Sequence, residues 1–591
     1  MTVRRPQLAA IDSLRHHLPY LGGLLLLTLL AGLPLFQFKI MSGHDAHEYL
    51  PRAVEFYQAL SAGQLFPRWA PDLNAGYGEP FFNFNPPLIY YLSAISHVMG
   101  SSFVAAQSLA ILALLLMAGS GMYLLAGDTY GPRAGLVSAT AYLFAPYLLV
   151  ALYVRHALAD FSAFASMPTA FWGVTRFAES GRYRFLLIGA LSLALVLLSS
   201  NPVALITLFA LLILLGWLAM TYWPESVSRL AATLLRGLSC LTMGIGLSAF
   251  FWIPALTERH FVHLSRLLDG YLNYRNHFLY PHQLITSPWG FGLSVPGAQD
   301  GMSFAIGPVH LVFVFAAPVL IWRERATPSR GGLLALFFLG LLVLAAFFSS
   351  SGSVFIWERF NLLQYMEFPW RFLSLISFST ALLCGLPFLW LEPRHKHLAN
   401  ALMGSLIAAL FLFGFPHARP EAFLDVTDAD YSPTAIVARN MTVTAAREYQ
   451  PIWVREQPEK PAKERMTLLS GQGRVVLDRQ SPVDYEFQAD IAESAQLRVN
   501  TFYFPGWTLF VDGSERPIDH SNPNGVMDFE LEPGQHRVQL SFLDTPVRRL
   551  GKAVSILSGL LLCAAPLLKN GARLLRRAHQ VVSASLMARA E

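Results

Sequence analysis

The chain has 591 residues, 54% hydrophobic and only 14% charged, with a formal net charge of +5. Soluble chains carry about 25% charged residues, and with a mean hydropathy of +0.43 a water-soluble fold of this size is excluded. The basic residues gather in short connectors between apolar runs, which points to membrane orientation rather than to a nucleic-acid partner.

Apolar runs fall near 18–38, 102–126, 134–151, 157–177, 185–200, 203–222, 236–256, 304–322, 331–349, 370–391, 398–416 and 551–568. A bilayer core needs about 20 apolar residues of helix, so about twelve transmembrane helices are expected. The first run is too long for the apolar stretch of a signal peptide and reads as an uncleaved helix. The pair 185–200 and 203–222 is divided only by Asn201-Pro202. Arg4, Arg5 and Arg15 precede the first run. Arg133, Arg176, Arg182, Arg184, Arg229, Arg323, Arg325, Arg330, Arg394 and Lys396 follow the even-numbered runs, and Lys569, Arg573, Arg576 and Arg577 close the chain. All fall on one side, which the positive-inside rule makes cytoplasmic. Both termini are then inside, and the long connectors 39–101, 257–303, 350–369 and 417–550 lie outside. Cys240, Cys384 and Cys563 all sit in apolar runs, so neither a disulfide framework nor a Cys-based zinc site is expected.

The first external connector opens with Gly43-His44-Asp45-Ala46-His47-Glu48-Tyr49, four titratable side chains within five positions at a membrane interface. Tyr49, Ala53, Phe56 and Leu60 then share one helical face, with Pro51 in the first turn. A loop dense in Gly, Pro, Asn and aromatics follows, and Leu88–Val98 reads as a short interfacial helix. In 257–303, His260, His263, His277 and His282 suggest a lid or acceptor loop, with a solvated loop as the bland reading. Residues 417–550 alternate apolar and polar at Val483–Gln488, Ala495–Phe504, Gly506–Asp512, Val526–Glu532 and Gln535–Phe542, between Gly-rich turns. This is the pattern of an antiparallel sheet or sandwich. The expected units are a transmembrane domain over 1–416, an extracytoplasmic β domain over 417–550 and a last helix with basic tail over 551–591.

An aspartate just past the first helix, two juxtamembrane helices and a C-terminal extracytoplasmic domain together resemble the GT-C glycosyltransferases. Asn85-Pro86-Pro87-Leu88-Ile89-Tyr90-Tyr91 is similar to the segment opening the second juxtamembrane helix in bacterial members. Tyr130-Gly131-Pro132-Arg133-Ala134-Gly135, Ala145-Pro146-Tyr147 and Glu367-Phe368-Pro369-Trp370-Arg371-Phe372 are similar in the same way. Tyr503-Phe504-Pro505-Gly506-Trp507 and Pro533-Gly534-Gln535-His536 resemble the sheet domain of a bacterial subgroup carried under the label "6-pyruvoyl-tetrahydropterin synthase-related".

The resemblance implies transfer of a sugar from a polyprenyl-phosphate donor to a glycan, lipid or protein acceptor, on the outer face of a bacterial inner membrane. It makes Asp45 the general base or a metal-linked acid. Sugar transfer asks independently for a carboxylate to take the acceptor proton and for cations on the phosphate leaving group. Glu48 is the second catalytic candidate. Arg52, Arg68, Tyr77, Asn85, Arg155, His156, Glu367 and Arg371 are the substrate-binding candidates, and Glu358 or Glu367 is a further carboxylate for Asp45. A divalent metal, Mg or Mn, would draw on Asp45 with His44 or His47, a spacing that matches no strong motif. The bland readings are a helix N-cap for Asp45, snorkelling for the arginines and an interfacial belt for Tyr77, Phe82, Phe84 and Tyr90. Two other functions fit a chain of this class. One is a transporter or flippase of a lipid-linked glycan, although broken helices and a repeat between halves are not evident. The other is a non-catalytic scaffold whose sheet domain binds a glycan or protein.

Overall fold

A computed structural model describes residues 6–222, 226–323, 329–441, 444, 446–458 and 460–564. Arg4, Arg5, Arg325, the basic tail and the end of the last apolar run lie outside the described residues, as does the side chain of Arg15. Every apolar run falls on helix where it is described. Among the described residues, six helices are long and apolar enough to cross a bilayer, or seven if one bent pair counts as a single span. The expected count of about twelve is therefore not reached by length and composition. Tyr183–Leu197 and Pro308–Arg323 are shorter, and Leu158–Ser180 carries Asp160 near one end and Arg176 and Glu179 near the other. The two runs are separate helices, but the break falls at 198–200 and Asn201-Pro202 open the second helix.

Glycine sets the closest helix approach. A Cβ on Gly173 would lie 2.5 Å from the backbone of Gly189, so Leu158–Ser180 and Tyr183–Leu197 touch backbone to backbone there. The basic connectors meet one another at one end of the bundle. Arg133 pairs with Glu392 at 2.8 Å, Arg176 with Asp128 at 3.3 Å, and Arg330 with Glu179 at 2.8 Å and Asp128 at 3.4 Å.

The opposite end is built from the long connectors. Helix Leu88–Val98 forms where the sequence predicts it, whereas Ala46–Ser61 starts earlier than expected, with Pro51 inside the helix and not in its first turn. Strand β1 (Ile40–Met41) pairs antiparallel with β2 (Phe423–Leu424). Asp428 accepts from the backbone N–H groups of Phe103 and Val104 at 2.8 and 3.2 Å, so it caps a helix more than three hundred residues earlier in the chain. The described residues of 417–465 thus lie against the first connector as a strap.

The sheets occupy 466–542. Strands β3 (Met466–Ser470), β6 (Ala495–Phe502) and β9 (Val526–Leu531) form one, in the order β3-β6-β9. The other has the order β4-β5-β10-β7-β8, from β4 (Gly473–Ser481), β5 (Asp484–Ile491), β7 (Trp507–Val511), β8 (Ser514–Arg516) and β10 (Gly534–Phe542). All pairings between these strands are antiparallel. Alternate residues of both sheets, among them Tyr485, Phe487, Leu497, Val499, Leu509 and Leu540, make one core. That core also takes in Trp69, Tyr77 and Phe84 of the first connector, which fasten the sandwich to the membrane domain.

Candidate active site

The site begins at a proline. Pro146 has no N–H to donate and sits at the head of a new helix, so Pro132–Leu143 and Pro146–Val154 are bent by 47°. The second piece ends in a π-wound turn, Val150–Val154, in which the Arg155 N–H reaches back five residues to the Val150 carbonyl at 2.8 Å. His156 follows at φ +54°, a left-handed conformation costly for a side chain other than Gly and concentrated at functional sites. The chain leaves the helix there, and its last carbonyls stay open. The His44 and Asp45 N–H groups donate to the Val154 and Arg155 carbonyls at 3.3 and 3.0 Å. Gly43 permits this docking, because a Cβ there would lie 2.6 Å from the His156 Cβ.

Asp45 stands at the N-cap position of Ala46–Ser61, yet its side chain accepts no hydrogen bond from the first turn. Glu48 ion-pairs with Arg52 one turn on. Burial pushes the Glu48 carboxyl up to about 7, with Arg52 opposing and the Asp45 charge adding. Arg52 is buried between the rings of Tyr49 (5.5 Å) and Phe81 (4.7 Å).

Next to these lies a second cluster. Asp160 accepts from Arg155 at 3.0 Å, from Arg371 at 3.3 Å and from the Ser200 hydroxyl at 2.7 Å. One carboxylate thereby holds two guanidiniums together. Arg155 lies over the Trp370 ring at 4.5 Å. Arg371 donates to the Met366 carbonyl and ion-pairs with Glu367 at 3.5 Å. Glu367 is held at φ +62°, and burial raises its carboxyl against the pull of Arg371. Tyr271, from the 257–303 connector, is close enough to feel the charges of Arg155 and Asp45. His44 contacts the Phe291 carbonyl at 3.2 Å, so that connector covers the site.

Of the residues singled out in the sequence, Asp45, Glu48, Arg52, Arg155, Glu367 and Arg371 are brought into this region. Asn85 borders it, accepting from the Tyr90 hydroxyl at 3.3 Å. His156 is buried with Nε2 2.6 Å from the Gln107 amide. Arg68 and Tyr77 are placed elsewhere. Arg68 donates to the Phe250 carbonyl near Arg548, Asp544 and Glu258, and Tyr77 stacks on Phe502 at 5.4 Å inside the sandwich core. Phe82, Phe84 and Tyr90 are buried packing residues. Glu358 pairs with Arg275 at the surface, 2.9 Å away, and so does not join Asp45. His277 is buried against Ser294 and the Tyr271 carbonyl, whereas His260 and His282 are exposed, so no histidine cluster forms among the described residues.

The metal set read from the sequence is not assembled. His44 is engaged by Phe291 and His47 is exposed. Among the described residues no group of three His, Cys, Asp or Glu side chains is arranged to hold an ion. A cleft of about 410 Å³ lies away from Asp45, where Ala75 and Gly76 face Arg465, Phe487 and Asn500 of the sandwich.

Sequence reasoning missed Glu448 and Tyr449. Glu448 is buried and Tyr449 half-buried beside Arg52 and Glu367. They lie in an irregular stretch, Arg447-Glu448-Tyr449-Gln450-Pro451, where no periodicity marks them.

The fold and this cluster define a multi-helix membrane protein with a sandwich domain packed over a buried carboxylate–arginine site. No protein-family model matches the sequence. It is 25% identical over 238 residues to an uncharacterized protein of Lactococcus lactis subsp. cremoris, an alignment covering 39% of this chain and 38% of that one. The solved structures similar to it are glycosyltransferases of the GT-C class. The oligosaccharyltransferase of Archaeoglobus fulgidus is 12% identical with a TM-score of 0.43, over 73% of this chain and 61% of that chain. The arabinofuranosyltransferase AftD from mycobacteria is 15% identical with a TM-score of 0.42, over 70% of this chain and 27% of that chain. ArnT from Cupriavidus metallidurans, solved bound to undecaprenyl phosphate, is 15% identical with a TM-score of 0.37, over 66% and 63%. This chain spans less than two thirds of each of these proteins. Likeness at these scores is too loose to transfer a residue role or an activity.

Proposed function

We propose that the chain is a membrane glycosyltransferase of the GT-C kind, moving a sugar from a polyprenyl-phosphate donor to an acceptor hydroxyl on the extracytoplasmic face. The observation that carries the reading is the state of Asp45. Its position is that of a helix cap, but its carboxylate does not cap, and it sits beside the Arg155–Asp160–Arg371 cluster. A carboxylate held by its backbone and left without a capping role is suited to receive a proton.

In the proposed step the acceptor oxygen attacks the anomeric carbon. Its proton passes to the Asp45 carboxylate, the bond from that carbon to the phosphate oxygen breaks, and polyprenyl phosphate leaves. Arg155 and Arg371 offset the charge growing on the phosphate. Glu48, held near neutrality in its titration, is the second carboxylate. Attack opposite the leaving group gives inversion. The meeting of the basic connectors at the far end of the bundle supports an inner-membrane orientation with both termini cytoplasmic and the site and β domain outside. Units 1–416, 417–550 and 551–591 are proposed on the same basis.

The test is transfer in reconstituted membranes from polyprenyl-phosphate sugars. Asp45→Asn is expected to lower turnover about 10²- to 10⁴-fold, the range of a lost general base. Unaltered transfer by this variant would overturn the assignment, and scrambling of a lipid-linked glycan without a covalent product would favour a flippase.

A further inference from the structure

Three extramembrane segments meet at residues 447–450. From the 257–303 connector, Arg266 donates to the Arg447 carbonyl at 3.0 Å and to the Gln450 side chain at 3.2 Å. From the first connector, Phe84 stacks on the Tyr449 ring at 5.6 Å, and Phe81 meets it edge-on at the same distance. Phe81 is also the ring that carries Arg52. Arg447 is held at φ +51°, so the strap bends sharply into this clamp. Glu448 is thereby fixed at 7% exposure.

One of its oxygens, Oε2, is sealed from solvent and makes no well-formed hydrogen bond among the described residues, the Thr444 hydroxyl beside the carboxyl being unmatched as well. A buried carboxylate oxygen left unmatched is costly, and in native proteins such groups are completed by something. Glu448 is close enough to feel the charge of Arg52, and Glu48, Glu79 and Glu367 each feel the charge of Glu448. A carboxylate in this company repels phosphate, which belongs with Arg155 and Arg371. What a carboxylate oxygen takes is a donor, and a lipid-phosphate sugar carries hydroxyl donors a few ångströms from its phosphate.

We propose that Glu448 is a substrate-binding residue, its unmatched oxygen accepting a hydrogen bond from a hydroxyl of the donor sugar. This deepens the glycosyl-transfer reading and rests on it. The site is then incomplete without the strap, although the strap is remote in sequence from every other residue of the cluster. Tyr449 and Arg266 position Glu448 and do not touch the sugar.

The experiment measures binding of two probes to the full chain in nanodiscs. One is bare polyprenyl phosphate; the other is polyprenyl phosphate carrying glucose, mannose or arabinofuranose. Wild type is compared with Glu448→Gln and Asp45→Asn, with thermal unfolding of each variant as the check of fold. A hydrogen bond to a charged acceptor corresponds to roughly 10- to 100-fold in affinity. Glu448→Gln is expected to lose that factor for the sugar-bearing lipid it recognises and to change affinity for the bare lipid less than about twofold. Loss of both affinities in equal measure, or of neither, overturns the proposal and leaves the glycosyltransferase reading standing. Wild type that binds neither lipid overturns both. Glu448→Ala with a bound sugar lipid as tight as wild type also overturns it, whatever its stability.

Discussion

Removing Glu258 tests the joint between the sandwich and the membrane domain. Its carboxylate accepts from Asn83 of the first connector at 2.9 Å, from the Thr545 hydroxyl at 2.6 Å and from Arg548 Nε at 3.0 Å. Arg548 continues to the Pro505 carbonyl at 2.8 Å, so one ion pair links the first connector, the sandwich and the start of the last helix. The two side chains are 5% and 0% exposed. Glu258→Ala leaves a guanidinium buried without its counter-charge, a change that costs about 3–5 kcal/mol. At about 1.4 kcal/mol per factor of ten, local opening rises by roughly two to three and a half decades. Hydrogen–deuterium exchange in nanodiscs, followed at peptides covering 81–85 and 503–511, reads it. Arg548→Met in the Glu258→Ala background removes the stranded charge and restores much of the protection, because deleting both partners is far milder than deleting one. Exchange unchanged in Glu258→Ala, or additive damage in the double variant, would refute the reasoning.

Other expectations follow from the same geometry. Because Asp45 carries no cap bond, Asp45→Asn should alter thermal stability by no more than about 0.5 kcal/mol while transfer collapses. A stability loss of the size of a broken cap would return it to a structural role. Burial raises the Glu79 carboxyl to about 8, against an ordinary 4.5. The folded state therefore holds a proton there that the unfolded chain has released. Its contribution is complete below pH 4.5 and is lost as pH rises towards 8. Glu79→Gln should flatten the fall of thermal stability between pH 5 and 8, and an identical slope would exclude Glu79 as its source. Tyr77→Ala removes a ring from the sandwich core. It should cost about 3–5 kcal/mol and expose 417–465 to limited proteolysis, and wild-type resistance would contradict the fastening role.

Much of the architecture was legible without coordinates. Helical and strand periods are local, so the apolar runs, the juxtamembrane helices and five strands of the sandwich stand where the sequence puts them. Strands β3, β4 and β8 were not legible. β4 lies at the sheet edge and is largely exposed, which erases the alternation that a buried face would impose. The number of spans was not legible by length alone either, because helices buried among other helices tolerate charges and shorter apolar stretches.

For the site, the sequence by itself offered residues of suitable chemistry: Asp45, Glu48, Arg52, Arg155, Glu367 and Arg371. Only the tertiary structure decided their company. It paired Arg155 and Arg371 through Asp160, sent Arg68 to Glu258 and Arg548, and put Tyr77 into the sandwich core. It also drew Glu448 in from a strap with no pattern of its own. The reason is physical. Periodicity reports which face of an element is buried, whereas the partner of a buried charge is set by long-range packing, and nothing in local spacing records that.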